Sequence, residues 1–200
     1  MSALARPGPY WAVQRLLGAR RVHRHAVWTH ARAHAGERVL DLGCGTGRAL
    51  DVLPDVEYLG VDASEAYVAA ARRRYGGRGE FLVADATALE LEGREAFDLV
   101  LALGVLHHLD DAGARALAGV ASRALRPDGR LVTLDPALVD GQPRLARWLA
   151  QHDRGTTIRA PGAYSELVRP AFATVEAEVR HDLARVPYTH ALLRAERPRA

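Results

Sequence analysis

The rhythm of apolar positions changes twice along the chain. Around residues 11–34 apolar side chains recur at helical spacing, with Trp11, Leu16, Leu17, Val22, Val27 and Trp28 set among arginines and histidines. One or two helices are expected there, broken near Gly18. From Glu37 onward, short apolar runs alternate with amphipathic stretches. "RVLDL", "VEYLGVD", "GEFLVADA", "FDLVLAL" and "RLVTLDP" read as five strands. "TGRALDVLP", "SEAYVAAARRRYGG" and "DAGARALAGVASRALRPDG" read as the helices between them. Ser64 is a favourable N-cap, and Pro54, the Gly76–Gly77 pair, Pro127 and Gly129 act as stops. The unbroken apolar content of "LVLAL" fits a strand covered on both faces.

Strands and helices alternating in this way pair in parallel through right-handed crossovers. The pattern therefore predicts a doubly wound α/β sheet, with its ligand crevice beyond the carboxyl ends of the strands. After Pro136 the rhythm loosens. "PRLARWLAQHD" and "GAYSELVRPAF" read as helices. "TVEAEVRHDL" and "VPYTHALLRAE" alternate as strands do, and a short turn between them would pair them antiparallel. "ERPRA" reads as a frayed end.

Composition narrows the class. The chain has 200 residues, 48% of them hydrophobic and 26% charged, which fits one globular domain with a sizeable core. No apolar run approaches the roughly 18 residues that span a bilayer, and the first residues lack the apolar core of a secretion signal. Cys44 is the single cysteine, so no internal disulfide can form and a cytoplasmic location is expected. Net charge is only +3, and every Lys-or-Arg position is arginine. Before Glu37 there is no acidic residue, while Arg6, Arg15, Arg20, Arg21, Arg24 and Arg32 are basic. Such an arm either meets an anionic partner or is a solvated helix face.

The chemistry concentrates in "VLDLGCGTG". Gly43, Gly45 and Gly47 lie between the first strand and its helix, where bare backbone can turn sharply and let N–H groups face a ligand. Asp62 ends the second strand, where an acid commonly holds a ribose diol, because a carboxylate accepts from two adjacent hydroxyls. Asp85 ends the third, near an adenine amino group. Three acids at successive strand ends, Asp41, Asp62 and Asp85, disfavour a pyrophosphate and suit a ligand with hydroxyls, an amino group and a positive charge. The dinucleotide fingerprint fails, since the third glycine counted from Gly43 falls on Arg48. A Walker loop fails because the chain has no lysine.

On these residues the chain resembles the class I S-adenosylmethionine-dependent methyltransferases. "VLDLGCGTG", "YLGVDASEAYVAAARRR", "FLVADATAL", "FDLVLALGVLHHLDD" and "LRPDGRLVTLDP" resemble five of their motifs in order, from about Glu37 to Pro136. The resemblance implies a Rossmann-like, mostly parallel seven-stranded sheet with a C-terminal antiparallel hairpin, and S-adenosylmethionine as cofactor. It implies a helical cap over residues 1–36 and a methyltransferase domain over 37–200, with a substrate-side insertion at 137–171. Cofactor contacts are expected from Asp41, Gly43, Cys44, Gly45, Gly47, Asp62 and Asp85, with Ala63, Ala86 and Leu103 along the adenine. Cys44 is expected to act as a small packing residue.

"ALGVLHHL" stands where many base or amide methylating relatives carry an Asn/Asp/Ser-Pro-Pro-aromatic motif, which favours a small-molecule acceptor. An RNA methyltransferase, or a non-catalytic subunit of the same fold, is the alternative. Methyl transfer from a sulfonium is an in-line displacement that needs alignment first and a base only if the acceptor carries a proton. His107, His108 and Asp135 follow the fourth and fifth strands and are candidates to orient or deprotonate it. Asp153 is a further candidate base, and Arg154 a clamp for an anionic substrate. Tyr10, Trp11 and Trp28 are either an N-terminal lid or core anchors. His30 and His34 share a helix face, but no cysteine or acid lies nearby in sequence, so no metal is expected.

Overall fold

The computed structural model describes residues 19–91, 97–152, 155 and 157–199. Residues 1–18, including Tyr10 and Trp11, and the candidates Asp153 and Arg154 lie outside the described residues. The strands are β1 (Arg38–Leu42), β2 (Glu57–Asp62), β3 (Glu80–Val83), β4 (Phe97–Leu103), β5 (Leu125–Pro136), β6 (Phe172–Arg180) and β7 (His190–Pro198). They form one sheet in the order β3-β2-β1-β4-β5-β7-β6. The pairings from β3 through β5 are parallel, and β7 runs antiparallel to both β5 and β6. Strand order reverses between β1 and β4, which opens a crevice at their carboxyl ends.

Side chains alternate across the central strands. Leu40, Leu42, Val100 and Ala102 enter one core with α3 (Asp111–Ala124) and α5 (Pro161–Val168). Val39, Leu99 and Leu101 enter the opposite one, with α2 (Glu65–Tyr75). Ser64 caps α2 through its Oγ, which accepts from the Tyr67 N–H, and Asp110 caps α3 in the same way. Within the 137–171 stretch, α4 (Arg144–Gln151) exposes Leu145 and Trp148, whereas Tyr164, Leu167 and Val168 of α5 belong to the main core.

Four expectations change. "TGRALDVLP" yields only a 3-10 turn at Arg48–Asp51, because Gly47 starts it in a left-handed conformation and Pro54 leaves no length for a helix. α3 ends at Ala124 and β5 begins at Leu125, since Pro127 forces the residues before it to extend. A register shift against β4, from Phe97↔Leu125 to Leu99↔Arg130, absorbs the intervening turn. Glu196–Pro198 is paired rather than frayed, with Phe172 opposite Pro198 and the Arg199 N–H donating to the Ala171 carbonyl at 2.9 Å. The late strands are joined by a connector over 181–189, not a short turn, and Leu183 in it is buried.

Helix α1 (Ala19–His25) runs directly into a π-helical segment, Ala26–Ala31, that ends on Arg32 with φ 48°. Arg130 on β5 holds this end. Its Nε donates to the Ala31 carbonyl, its Nη2 to the Arg32 carbonyl at 3.1 Å, and its Nη1 to the Asp98 carbonyl at 3.2 Å. Glu37 lies 2.9 Å from Nη2 and completes a largely buried ion pair. Replacing Arg130 with methionine takes the cationic partner from Glu37, which keeps the His34 N–H, and a donor from each of three carbonyls. We expect Arg130→Met to cost about 3–5 kcal/mol in urea unfolding. A loss within the range of an exposed pair, below about 1 kcal/mol, would show that this tie is not structural.

Candidate functional site

A cavity of about 560 Å³ opens at the strand tips around the β1–β4 crevice. One wall is the glycine loop. Gly43, Gly45 and Gly47 have φ of 73°, 55° and 75°, a region that side chains disfavour. Their roles differ. A Cβ on Gly43 would lie 2.6 Å from Val105, and one on Gly47 would press on the Phe81 and Tyr75 rings at 3.0 Å. A Cβ on Gly45 would meet nothing. Gly43 and Gly45 line the cavity, whereas Gly47 is packed behind it.

Asp62 organises this loop. Its Oδ2 accepts from the Gly45 N–H and its Oδ1 from the Ser64 N–H, both at 2.8 Å. Each oxygen keeps a second lone pair for a ligand hydroxyl. Ala63, Asp85, Ala86 and Leu103 line the same cavity. Asp85 is exposed, and the Thr87 backbone and hydroxyl that donate to it hold its carboxyl below the usual range. Cys44 also lines the wall; burial and the nearby Asp41 and Asp62 push its thiol well up, so it stays protonated and packs.

Asp41 is nearly fully buried and takes a 2.5 Å hydrogen bond from the Tyr58 hydroxyl. Burial pushes its carboxyl up from the ordinary 3.8 to about 7; the Tyr58 bond works against that and the Asp62 charge adds to it. The folded state therefore holds its proton more tightly than the unfolded one. Asp41 costs stability progressively as pH rises from about 4 to about 7.

The opposite side of the cavity carries His107 and His108, whose rings lie 4.0 Å apart. His107 is buried, and its Nδ1 lies 2.8 Å from Asp135 Oδ1, which also accepts the His107 backbone N–H at 3.1 Å. Asp135 thus grips His107 twice. A carboxylate facing Nδ1 fixes the proton there and leaves the lone pair on Nε2. A Cβ on Gly155 would fall 2.0 Å from His107 Cδ2, so only glycine fits over that ring edge.

Sequence reasoning missed the frame around this pair. Arg159 is buried, and its guanidinium donates to the Leu106 carbonyl at 3.0 Å, the Leu109 carbonyl at 2.8 Å and Asp111 Oδ1 at 2.8 Å. The Tyr164 hydroxyl donates to the Pro136 carbonyl at 3.0 Å. Together they fix the backbone beside both His107 and Asp135. Also missed were Val22 and His23 from α1, and Val186, Tyr188 and His190 from the connector and β7, all on the cavity wall. No local motif marks them, because they belong to the weakest patterns in the chain. Trp28 is exposed and does not line the cavity.

Residues 39–129 match a family model described as a methyltransferase domain. An O-methyltransferase from Pyrenophora dematioidea is 35% identical over 133 residues, which is 61% of this chain and 49% of that protein. A ubiquinone biosynthesis O-methyltransferase from Bradyrhizobium sp. (strain ORS 278) is 34% identical over 102 residues, 49% of this chain and 39% of that one. A TehB-like SAM-dependent methyltransferase from Corynebacterium glutamicum has the same fold, with a TM-score of 0.65 at 21% identity over 94% of this chain and 96% of that one. Over residues 39–129 the chain is thus similar to methyltransferase domains, and its fold is the one shared by the S-adenosylmethionine-dependent enzyme from Corynebacterium glutamicum. The chain spans about half, or less, of the length of these two curated relatives.

The cavity fits S-adenosylmethionine on its own chemistry. An open face at Gly45, carboxylates at Asp41, Asp62 and Asp85, and apolar walls at Ala63, Ala86 and Leu103 match a cationic nucleoside. A sulfonium held beside Asp41 would favour its ionised form. We therefore expect S-adenosylmethionine to bind more tightly as pH rises through about 7. S-adenosylhomocysteine, which lacks the sulfonium charge, should change less, and Asp41→Asn should flatten the difference. Calorimetry with both ligands at pH 6, 7 and 8 checks this; parallel responses of the two ligands would refute it.

Proposed function

We propose that this protein transfers a methyl group from S-adenosylmethionine to a hydroxyl of a small molecule by in-line displacement, with His107 as general base. The observation that carries the reading is His107, on the wall of the same cavity as the glycine loop and held by the buried Asp135. When bound, the donor supplies a methyl group on a positively charged sulfur. Asp62 would hold its ribose, Ala63, Ala86 and Leu103 its ring, and Gly45 its close approach. Asp85 would accept from the purine amino group, and Arg48 supplies a cation on the cavity wall.

The acceptor side needs a proton removed. A neutral hydroxyl is a weak nucleophile, and a phenolic one has a pKa near 10. An imidazole aimed by a carboxylate takes that proton as the oxygen attacks, and the imidazolium formed lies 2.8 Å from Asp135. The names of the relatives, O-methyltransferases both, support an oxygen acceptor. Val22, Leu134, Val186 and Tyr188 give the acceptor an apolar, partly aromatic setting.

Two measurements test the reading. Asp62→Ala removes both a ligand contact and the brace on the Gly45 N–H, so calorimetry should show S-adenosylmethionine affinity falling at least about tenfold. Unchanged affinity would remove the donor from this site. His107→Gln should lower kcat on a hydroxyl acceptor by about 10²–10⁴-fold while leaving donor affinity nearly unchanged. The residual rate should climb with pH as the acceptor ionises unaided. A variant with full kcat would show that His107 is not the base.

A further inference from the structure

Outside the cavity lining, the junction between α1 and the π-helical segment places two imidazoles against the edge strand. In an α-helix, residues five apart point about 140° away from each other. The i→i+5 ladder of a π segment widens the turn and brings such residues to one side. His25 and His30 meet in this way, with ring centroids 5.3 Å apart and planes at 64°. Glu178 of β6 faces them, its Oε2 3.0 Å from His30 Nε2. One ligand atom from each of the three residues lies within 4.8 Å of the others.

The hydrogen bonding favours the ligating tautomer at His25. Arg180 Nη1 lies 3.1 Å from His25 Nε2. A guanidinium can only donate, so Nε2 there presents a lone pair. Nδ1 then carries the proton, 3.5 Å from Thr29 Oγ1, the kind of outer partner that ligating histidines use. His30 Nε2 sits close to Glu178 Oε2 without the alignment of a hydrogen bond. Burial lowers the pKa of both histidines, with Arg180 adding to the effect at each, Arg21 at His25 and Arg194 at His30; Glu178 opposes it at both and Asp182 at His25. These effects favour the neutral ring, the form in which histidine binds a metal.

A positive group already fills part of this space. Arg180 Nη1 also donates to Glu178 Oε1 at 3.2 Å, while its Nε and Nη2 are held by the two oxygens of Asp182 at 2.9 and 2.8 Å. The pocket is thus complementary to a cation, and Arg180 can give up the Nη1 contacts while keeping its pair with Asp182. Two imidazoles and a carboxylate are a zinc donor set, with a fourth position left for water.

We propose that His25, His30 and Glu178 form a site for a divalent transition metal, zinc by its donor set, that fastens the N-terminal helix to β6. The same helix carries Val22 and His23 to the cavity wall, and Val22 and Ala26 into a small core with Leu134, Leu183 and Leu192. Metal at this site would therefore stiffen one side of the cavity. The proposal does not depend on the methyl-transfer reading.

The test uses the whole, untagged chain after chelator treatment, titrated with zinc chloride by calorimetry and with cobalt(II) by visible absorption. We expect one equivalent of zinc to bind with micromolar or tighter affinity, a tetrahedral cobalt spectrum and a rise in Tm. Loss of an outer partner costs about 10–100-fold in affinity, so loss of a ligand, in His30→Ala or Glu178→Gln, should cost at least that. Arg180→Ala removes the competing cation and should tighten binding. His34→Ala, on an exposed neighbour, should change nothing. Glu178 is largely exposed, so its variant should fold even if His30→Ala does not. Binding that survives Glu178→Gln unchanged, or weakens in Arg180→Ala, would overturn the proposal. So would the absence of zinc binding at micromolar concentrations.

Discussion

The whole site depends on one carboxylate holding one loop. Gly43, Gly45 and Gly47 each occupy a left-handed conformation, and such a run does not set itself. Asp62, at the tip of the neighbouring strand, accepts the Gly45 N–H with one oxygen and the Ser64 N–H with the other. The parallel pairing of β1 with β2 fixes the relation between loop and acid, since Leu42 lies opposite Val61. The Gly43 and Cys44 N–H groups then both donate to the Val61 carbonyl. The loop is therefore an extension of the sheet's own hydrogen-bond ladder. What the sequence presents as two motifs, glycines and a strand-end acid, is one hydrogen-bonded unit.

The sheet was readable because its signals are local. Each central strand is an apolar run of the right length, and each cap or stop sits at a definite residue, as Ser64 does for α2. Asp41, Gly43, Cys44, Gly45, Asp62, Ala63, Asp85, Ala86 and Leu103 all line the cavity, because strand tips are where a doubly wound sheet must gather them. The misreadings share a cause. Each is decided by something other than helical periodicity: the short span between Gly47 and Pro54 for the β1–β2 crossover, Pro127 and the register shift against β4 for the start of β5, and Phe172 opposite Pro198 for the tail. Gly47 was placed with the ligand glycines, yet two aromatic rings explain it.

Arginine carries most of what local reading could not reach. Arg130 joins β5 to the end of the π-helical segment, Arg159 joins the loop after β4 to the stretch before α5, and Arg194 on β7 donates to the His30 carbonyl. Each uses the planar five-donor fork to collect carbonyls and a carboxylate at once, which a lysine ammonium cannot do in one plane. An arginine-only chain can therefore tie distant segments by buried forks. The sequence shows the supply of arginines but not which of them turn inward. Arg159 and the exposed Arg126 look alike on paper, and only the backbone carbonyls around Arg159 separate them.

Specificity follows from the same division. One part of the cavity is built from strand tips, whose positions the sheet dictates. On the proposed reading this part takes the donor, and the acceptor meets α1 and the 181–189 connector, which are held by side-chain ties and small satellite packing. Residues such as Val22, Val186 and Tyr188 can change size with little effect on the ladder beneath them. His107 and Asp135 cannot, because they sit at the ends of β4 and β5 and are framed by Arg159 and Tyr164. The fold thus keeps the His107–Asp135 pair rigid beside the glycine loop and leaves the remaining walls on its most replaceable parts, a division that suits the proposed methyl transfer.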